Sequence, residues 1–592
     1  MTASLPAAAH SPVSDPAFLG VTASLTGRRW VGLTLDEDRH AEAIAQNARL
    51  PLAVARVLSR RGVAPEEAAA YLAPALRHLL PDPRSLRDME RAAERFVAAL
   101  QHRQRIAVFA DYDVDGGASA ALLLVWLRAM GHRATLYIPD RIDEGYGPNV
   151  PAMQALGAVH DLIICVDCGT LSHEPIAAAR CDVVVLDHHL GGDTLPSALA
   201  VVNPNRQDEA GALGHLCAAG VVFLMLVEAN RQLRARGVQG PDLMAFLDLV
   251  ALATVADVAP LIGVNRALVR QGLAVMGRRE RAGLVALADV ARMTKAPDTH
   301  ALGFLLGPRV NAGGRIGQAD LGARLLATDN PAEAAELAAR LDALNTERRE
   351  IEAAVRAEAL AQAEARGVDG PLVWAAGDGW HPGVVGIAAA RLKEAFDRPS
   401  VVIGFDGAIG KGSARSVAGV DLGAAVARVA GEGLLLKGGG HRMAAGLTVA
   451  RDALEPAMAR LSELLARQGA GQRGPHDLAV DGLLAPEGLT PDLVLQIDAA
   501  GPFGASSPAP RFVLADQVIQ DARRIGEQHL RLRVGSGSAQ VQVICFGAFD
   551  GPLGKALSSG GAGRFHLAGR VEIDSWGGRQ KVQLRLDDAA PA

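Results

Sequence analysis

Three short apolar runs, Ile106–Phe109, Leu162–Val166 and Val183–Leu186, constrain this chain more than any other feature, because each ends in acids or histidines. The first leads into Asp111-Tyr-Asp113-Val-Asp115-Gly-Gly117, the second into Asp167-Cys168-Gly169 and the third into Asp187-His188-His189. Ala- and Leu-rich stretches of helical period separate the runs, and that alternation predicts βαβ units around a parallel sheet. In such a sheet ligands gather outside the carboxyl ends of the strands. The acids and imidazoles of all three runs are therefore expected at one end of the sheet.

An acidic turn can simply be solvated, and D-x-D-G also resembles a calcium loop, although the EF-hand ligand series and its closing Glu are missing here. Asp113 and Asp115, two apart on a tight turn, would repel one another strongly without a compensating cation. A lone histidine is more often a core residue, whereas an adjacent pair following Asp at a strand end makes an ordinary transition-metal site. Asp257 closes a fourth, almost wholly apolar segment that begins at Asp248, and a buried carboxylate needs a partner or a metal. Mixed Asp and His ligands suit Mn²⁺ or Mg²⁺ better than structural Zn²⁺; Cys165-Val-Asp-Cys168 has C-x-x-C spacing, but no second pair follows. Two such cations sharing a carboxylate would activate a water and stabilise the entering and leaving oxygens at phosphorus. Phosphoester hydrolysis is the reaction expected.

At 592 residues the chain exceeds one hydrophobic core, so about three or four domains are expected. Residues 1–47, rich in Ala, Pro and Ser, read as mostly disordered, with only Arg28-Arg29-Trp30 standing out. Residues 48–285 form the first α/β domain and 286–366 a helical connector. Within the connector, 331–366 reads as one helix of roughly 50 Å, its start signalled by Thr328, Asp329 and Pro331 and its end by Gly367. A smaller α/β domain spans 367–468, so a cleft between two lobes follows. From 473 to 592, runs such as Leu530–Val534, Val541–Phe546, Val571–Ile573 and Val582–Leu586 alternate like half-buried strands between turns such as Gly535–Ser538. A small antiparallel OB-like barrel is expected there. The five cysteines are odd in number and lack framework spacing, which fits reduced thiols. With no apolar run of about 18 residues and no secretory pattern at the N-terminus, the reading is a cytoplasmic protein. The net charge of −5 decides nothing about nucleic acid, since phosphate binding depends on where the cations sit.

In the second lobe Gly438–Gly440, followed by His441 and Arg442, reads as a glycine-rich turn that is either a plain loop or a phosphate cradle. Ser413 and Arg415, two apart, could place a hydroxyl and a guanidinium on one terminal phosphate, or be ordinary surface residues. Arg141, Arg309 and Arg315 are candidates for a strand's phosphates, and Tyr146 offers a face for base stacking. Such contacts imply little sequence preference.

Together Asp111–Gly116, Val166–Gly169, Asp187–His189 and Thr254-Val-Ala-Asp257 resemble the DHH phosphoesterase superfamily. Arg141–Gly147, Val202-Asn-Pro-Asn205, Leu216–Gly220 and Pro308–Arg315 extend the match, and Gly412–Ser416 with Gly438–Gly446 resemble its DHH-associated domain. The resemblance implies a parallel-sheet DHH domain, a long helix, a DHH-associated domain and an OB-like barrel. It also implies metal ligation by Asp113, Asp115, Asp167, His188 and Asp257, with Asp167 bridging two divalent cations, Mn²⁺ or Mg²⁺. Asp111 is then a ligand or its neighbour, His189 faces the scissile phosphate and Asp187 orients the histidines. Phosphate binding falls to Arg141, Arg309, Arg315, Ser413, Arg415, Gly439, Gly440 and His441. The implied activity is 5′ to 3′ exonuclease action on single-stranded DNA, releasing 5′-mononucleotides, in recombination and repair. Single-strand-binding protein and a helicase are the implied partners of a monomer. A rival within the superfamily acts on short oligoribonucleotides or cyclic dinucleotides, but such enzymes generally lack the extra β domain. A non-catalytic scaffold would not need the full ligand set retained here.

Overall fold

The computed structural model describes residues 16–592 except 142–143, 472–476, 537–538, 559–562 and 575–579. The expected disorder of residues 1–15, the centre of the Arg141–Gly147 motif and the end of the Gly535–Ser538 turn lie outside the described residues.

The first lobe is built on a five-stranded parallel sheet in the order Ala134–Tyr137, Ile106–Ala110, Leu162–Val166, Asp182–Leu186, Ala200–Val202. Its central strands are covered on both faces: Ile106, Val108 and Ala110 join one core cluster, while Ala107 and Phe109 join another on the opposite face. This is why those runs read as continuous apolar sequence. The Ile106–Ala110 strand lies between the second and third strands in chain order, so the winding reverses there. The crevice outside the carboxyl ends of Ile106–Ala110 and Leu162–Val166 is the position where sheets of this kind bind ligands.

The long helix runs from Pro331 to Arg366. Its cap is Asn330, whose side chain accepts from the N–H groups of Ala332 and Glu333; Thr328 instead donates to Glu333 at 2.6 Å. Ala334, Leu337, Leu341 and Leu344 pack into the first-lobe core, whereas Val355, Ala359 and Ala363 pack into a cluster with the second lobe's Trp380 and Val402. One helix thus belongs to two cores and ties the lobes together.

The second lobe carries a sheet in the order Lys437–His441, Ala444–Ala450, Ile409–Arg415, Ser400–Asp406, Val373–Asp378, antiparallel except for the last pair. The glycine run is therefore an edge strand, not the expected turn. The reason is close packing: a Cβ on Gly438 would stand 2.9 Å from Val426 of the Leu422–Gly431 helix, and one on Gly440 2.4 Å from the Ala444 carbonyl oxygen.

The barrel closes through Phe512–Ile525, His529–Ser536, Ala539–Cys545, Lys581–Pro591 and Arg564–Asp574, with the last pairing back to the first. One contact, Ala539–Cys545 with Lys581–Pro591, is parallel. Residues 16–47 are structured and not linker: Trp30 is fully buried, pairs beside Leu478 and donates its indole N–H to Asp588 at 3.0 Å. The Leu35–Ala48 helix opens with a Thr34/Glu37 capping box. Val54, Val57 and Leu58 share a core with Phe512 and Leu530. Residues 16–75 thus group with the barrel, and the first α/β domain does not open at residue 48. No helix among the described residues is long and apolar enough to cross a membrane.

Candidate metal centre

The Ile106–Ala110 strand feeds Asp111, and the turn after it starts the Val114–Ala129 helix. Asp113 is that helix's cap, accepting from the N–H groups of Asp115 at 2.8 Å and Gly116 at 3.1 Å. Asn311 extends the cap by accepting from the Val114 N–H at 3.1 Å. Gly116 is required because a Cβ there would lie 2.4 Å from the Asp111 carbonyl oxygen. Asp115 is buried, and its two oxygens accept from the Ala218 and Ala219 N–H groups at 2.7 and 2.8 Å. These amides open the Ala218–Ala235 helix, whose positive end favours a carboxylate.

Asp167 follows Leu162–Val166 in the left-handed region, φ 61°, a conformation Asp tolerates better than most residues. His188 lies among three acids, its Nε2 3.3 Å from Asp167, 3.6 Å from Asp115 and 3.8 Å from Asp257. Asp187 organises this loop: its Oδ1 accepts from the N–H groups of His188 and His189 and from His189 Nδ1, and its Oδ2 from the Thr170 N–H. Asn205 and Asn203 hold the other side, donating to the His188 and His189 carbonyls at 2.6 and 2.8 Å. Asp257 ends the buried Leu247–Ala256 helix and precedes Val258 at φ 60°, a strained conformation for a β-branched residue.

Burial and mutual repulsion dominate the electrostatics. Burial, and then the charges of neighbouring aspartates, pushes Asp111 and Asp167 well above the ordinary carboxylate range and Asp257 up to about 9. Asp115 is raised too, by burial against the opposing His188 charge. Asp187 is the exception: burial would raise it, but the His189 bond and charge hold it below its usual value. His189 is correspondingly pushed up to about 9, the Asp187 bond overcoming burial.

Asp111 Oδ1 and Asp167 Oδ1 are buried without a hydrogen-bond partner. Leaving carboxylate oxygens so placed is costly unless a cation meets them. Among the described residues three groups bring ligand atoms within 4.8 Å of one another: Asp111, Asp113 and Asp167; Asp115, His188 and Asp257; Asp167, His188 and His189. Asp167 and His188 each belong to two of them. Oxygen and imidazole donors without thiolate fit Mn²⁺ or Mg²⁺; Cys165 and Cys168 are buried in an apolar cluster with Met153.

A cavity of about 590 Å³ lies between this lobe and the second, with Tyr112, Arg141 and Tyr146 on one side and Ser413, Gly439 and the start of the Pro382–Phe396 helix on the other. Arg141 stacks over Tyr112 at 5.0 Å. The Tyr146 hydroxyl is 3.1 Å from the Asp167 carbonyl oxygen and 3.2 Å from His189 Nδ1, linking the cavity to the acidic centre. Arg415 lies beside Ser413 under Gly386; burial and the Arg141 charge lower its pKa. Burial and the charges of Arg415 and His189 likewise lower that of His441. Arg315 donates to the Gly383 carbonyl at 3.1 Å and is brought down to about 10 by burial and neighbouring arginines. Arg309 is not brought to the cavity: it pairs with Asp342 of the long helix at 2.8 Å and with the Leu305 carbonyl. Gly440 is turned toward Ala444 and Ala445, away from the open face that Gly439 shares. Thr170, Asn203, Asn205 and Asn311 had no assigned role in the sequence reading. Thr170, Asn203 and Asn205 carry a signal as polar residues following strands at the same end of the sheet, whereas Asn311, inside the Gly307–Ile316 helix, carries none.

Comparison with known proteins gives three family matches: the DHH family, N-terminal domain, over residues 105–254; the DHHA1 domain over 369–467; and the RecJ OB domain over 480–588. The chain is similar to the single-stranded-DNA-specific exonuclease RecJ of Dickeya dadantii, 38% identical over 92% of this chain and 96% of that one. It is also similar to that of Escherichia coli, 36% identical over 92% and 96%. A solved structure of RecJ from Thermus thermophilus in complex with Mn²⁺ superimposes with a TM-score of 0.78 at 31% identity, covering 95% of this chain and 79% of the other. The same organism's RecJ has also been solved in complex with Mg²⁺, with a TM-score of 0.72 at 29% identity over 95% and 78%.

Proposed function

The chain belongs to the RecJ family of single-stranded-DNA-specific exonucleases, and on that footing we propose that it removes nucleotides from the 5′ end of single-stranded DNA by metal-dependent hydrolysis. The observation that carries the proposal is the cluster of buried, mutually repelling carboxylates in which Asp167 and His188 each serve two ligand groups. Asp113, Asp115, Asp167, His188 and Asp257 would hold two divalent cations, with Asp111 in reach. Bound there, such cations supply a water of lowered pKa and charge stabilisation at phosphorus.

The chain's own groups do the rest. Asp187 and the two asparagines fix the histidine loop, so both imidazoles stay aimed at the centre. His189, protonated through Asp187, offers a positive N–H toward a scissile phosphate. Ser413, Arg415 and His441, with the flat backbone at Gly439, would hold the terminal phosphate, while Arg141 and Arg315 meet the adjoining one. Tyr146 stands where a terminal base can stack. The 5′ to 3′ polarity and the 5′-mononucleotide product are taken from the family resemblance, and a phosphate seat across the cavity from the metal centre is compatible with both. The barrel contributes further single-strand contacts. The role that fits is cytoplasmic DNA recombination and repair, as a monomer working with single-strand-binding protein and a helicase.

Single-stranded and duplex DNA labelled at the 5′ or 3′ end, incubated with Mn²⁺ or Mg²⁺, test this. Mononucleotide label is expected first from 5′-labelled single strands; equal release from blunt duplex, or first release of the 3′ label, contradicts it.

A further inference from the structure

The open face of the second-lobe sheet is a regular grid. Register aligns His441 with Ala444 and Arg415, then Gly439 with Gly446 and Ser413, then Lys437 with Thr448 and Lys411. Alternation puts all three rows on one face, and 438 and 440 on the other, against helix and hairpin. The first row lies toward the histidine loop, His441 being within reach of the His189 charge, while the last row lines the cavity with Tyr112 and Arg141. The middle row is stripped of bulk: a Cβ on Gly439 or Gly446 would meet nothing within 4 Å. The last row lies about 14 Å from the first, at about 3.4 Å per residue.

That last row holds two exposed lysines on either side of a threonine, both lining the cavity, and neither has an acidic partner among the described residues. The two lysines lie on the strands either side of Ala444–Ala450, about 10 Å apart in backbone, close enough for one anion to meet both side chains. The start of the 15-residue Pro382–Phe396 helix opens on the same cavity and adds its own preference for anions. A strand ending in one phosphate satisfies only the first two rows. We infer that Lys411, Lys437 and Thr448 form an outer anion subsite that receives the distal phosphoryl groups of a 5′-polyphosphorylated end. The inference rests on the exonuclease reading above and extends it to the chemistry of the end.

On such an end the reaction is unchanged: water oxygen bonds to the first internucleotide phosphorus, and the bond from that phosphorus to the 3′ oxygen of the terminal nucleotide breaks. That oxygen takes up a proton. The terminal nucleotide leaves as a nucleoside 5′-triphosphate, and the shortened strand carries a 5′-monophosphate.

Short single strands bearing 5′-monophosphate or 5′-triphosphate, with the full chain and Mn²⁺, test the inference. Wild type is expected to release nucleoside triphosphate from triphosphate ends within about threefold of its monophosphate rate. Lys411→Ala with Lys437→Ala should slow the triphosphate ends about tenfold or more, as for loss of charge-assisted hydrogen bonds, and the monophosphate ends less than about twofold. Wild type that degrades monophosphate strands but releases nothing from triphosphate ends overturns the inference, as does a double variant slowed equally on both. Inertness toward both ends would instead overturn the exonuclease reading.

Discussion

In the first lobe most of the candidate side chains follow the ends of strands, with Asp257 at a helix end; in the second they stand on the face of a sheet. The difference sets what each can do. Strand ends in a parallel sheet are buried by crossover helices, so Asp111, Asp115 and Asp167 are held almost without solvent and demand a cation. An antiparallel face cleared by Gly439 and Gly446 stays open, so its cations and hydroxyl can receive a charged strand without paying for burial twice. On the proposed reading chemistry and holding are separated, and the separation can be attacked from both sides.

Asp167→Ala gives the largest expected effect. Hydrolysis should fall on the order of a thousandfold or more, because two ligand groups lose their shared member, while single-strand affinity measured by anisotropy changes less than about twofold. A parallel loss of binding in a folded variant would break the comparison. Asn205→Ala should follow, weakening Mn²⁺ binding by about 10- to 100-fold in calorimetry, since the His188 loop loses its outer support. Arg415→Ala is the mirror case: removing one charge-assisted contact, about 1.5–3 kcal/mol, should lower kcat/KM by about 10- to 100-fold, mostly through KM.

Much of the first lobe was legible because a parallel sheet gathers its ligands at one end, so Asp113, Asp167 and His188 could be grouped without knowing the winding order. The Pro331–Arg366 helix was legible because nothing within it breaks helical period. Phe512–Ile525 was not, since register shifts after Leu514 and Ile519 destroy the two-residue alternation. Glycine-rich Lys437–His441 reads as a turn when the helix and hairpin that need its missing side chains are out of view. The same holds for Arg309, whose partner Asp342 is 33 residues away, whereas Trp30 stands out even within a stretch of linker composition and is buried.

A smaller effect concerns pH in the presence of a chelator. Carboxyl pKa values raised above their unfolded values, Asp257 to about 9, mean that the folded chain binds more protons than the unfolded chain between about pH 4 and pH 9. Stability is then greatest on the acid side of that window and falls as pH rises through it. The Tm in chelator should drop by a few degrees between about pH 6 and pH 9, and Mn²⁺ should restore it most at the alkaline end, because cation binding displaces those protons. A Tm that rises with pH in chelator would contradict the electrostatic account of the acidic lobe.

The most direct test is a metal titration on protein stripped with chelator, reading single-strand binding and nucleotide release in the same samples. Binding is expected before any cation is added, and release only as Mn²⁺ or Mg²⁺ is supplied. Release from the stripped protein, or binding that appears only together with the metal, would contradict this.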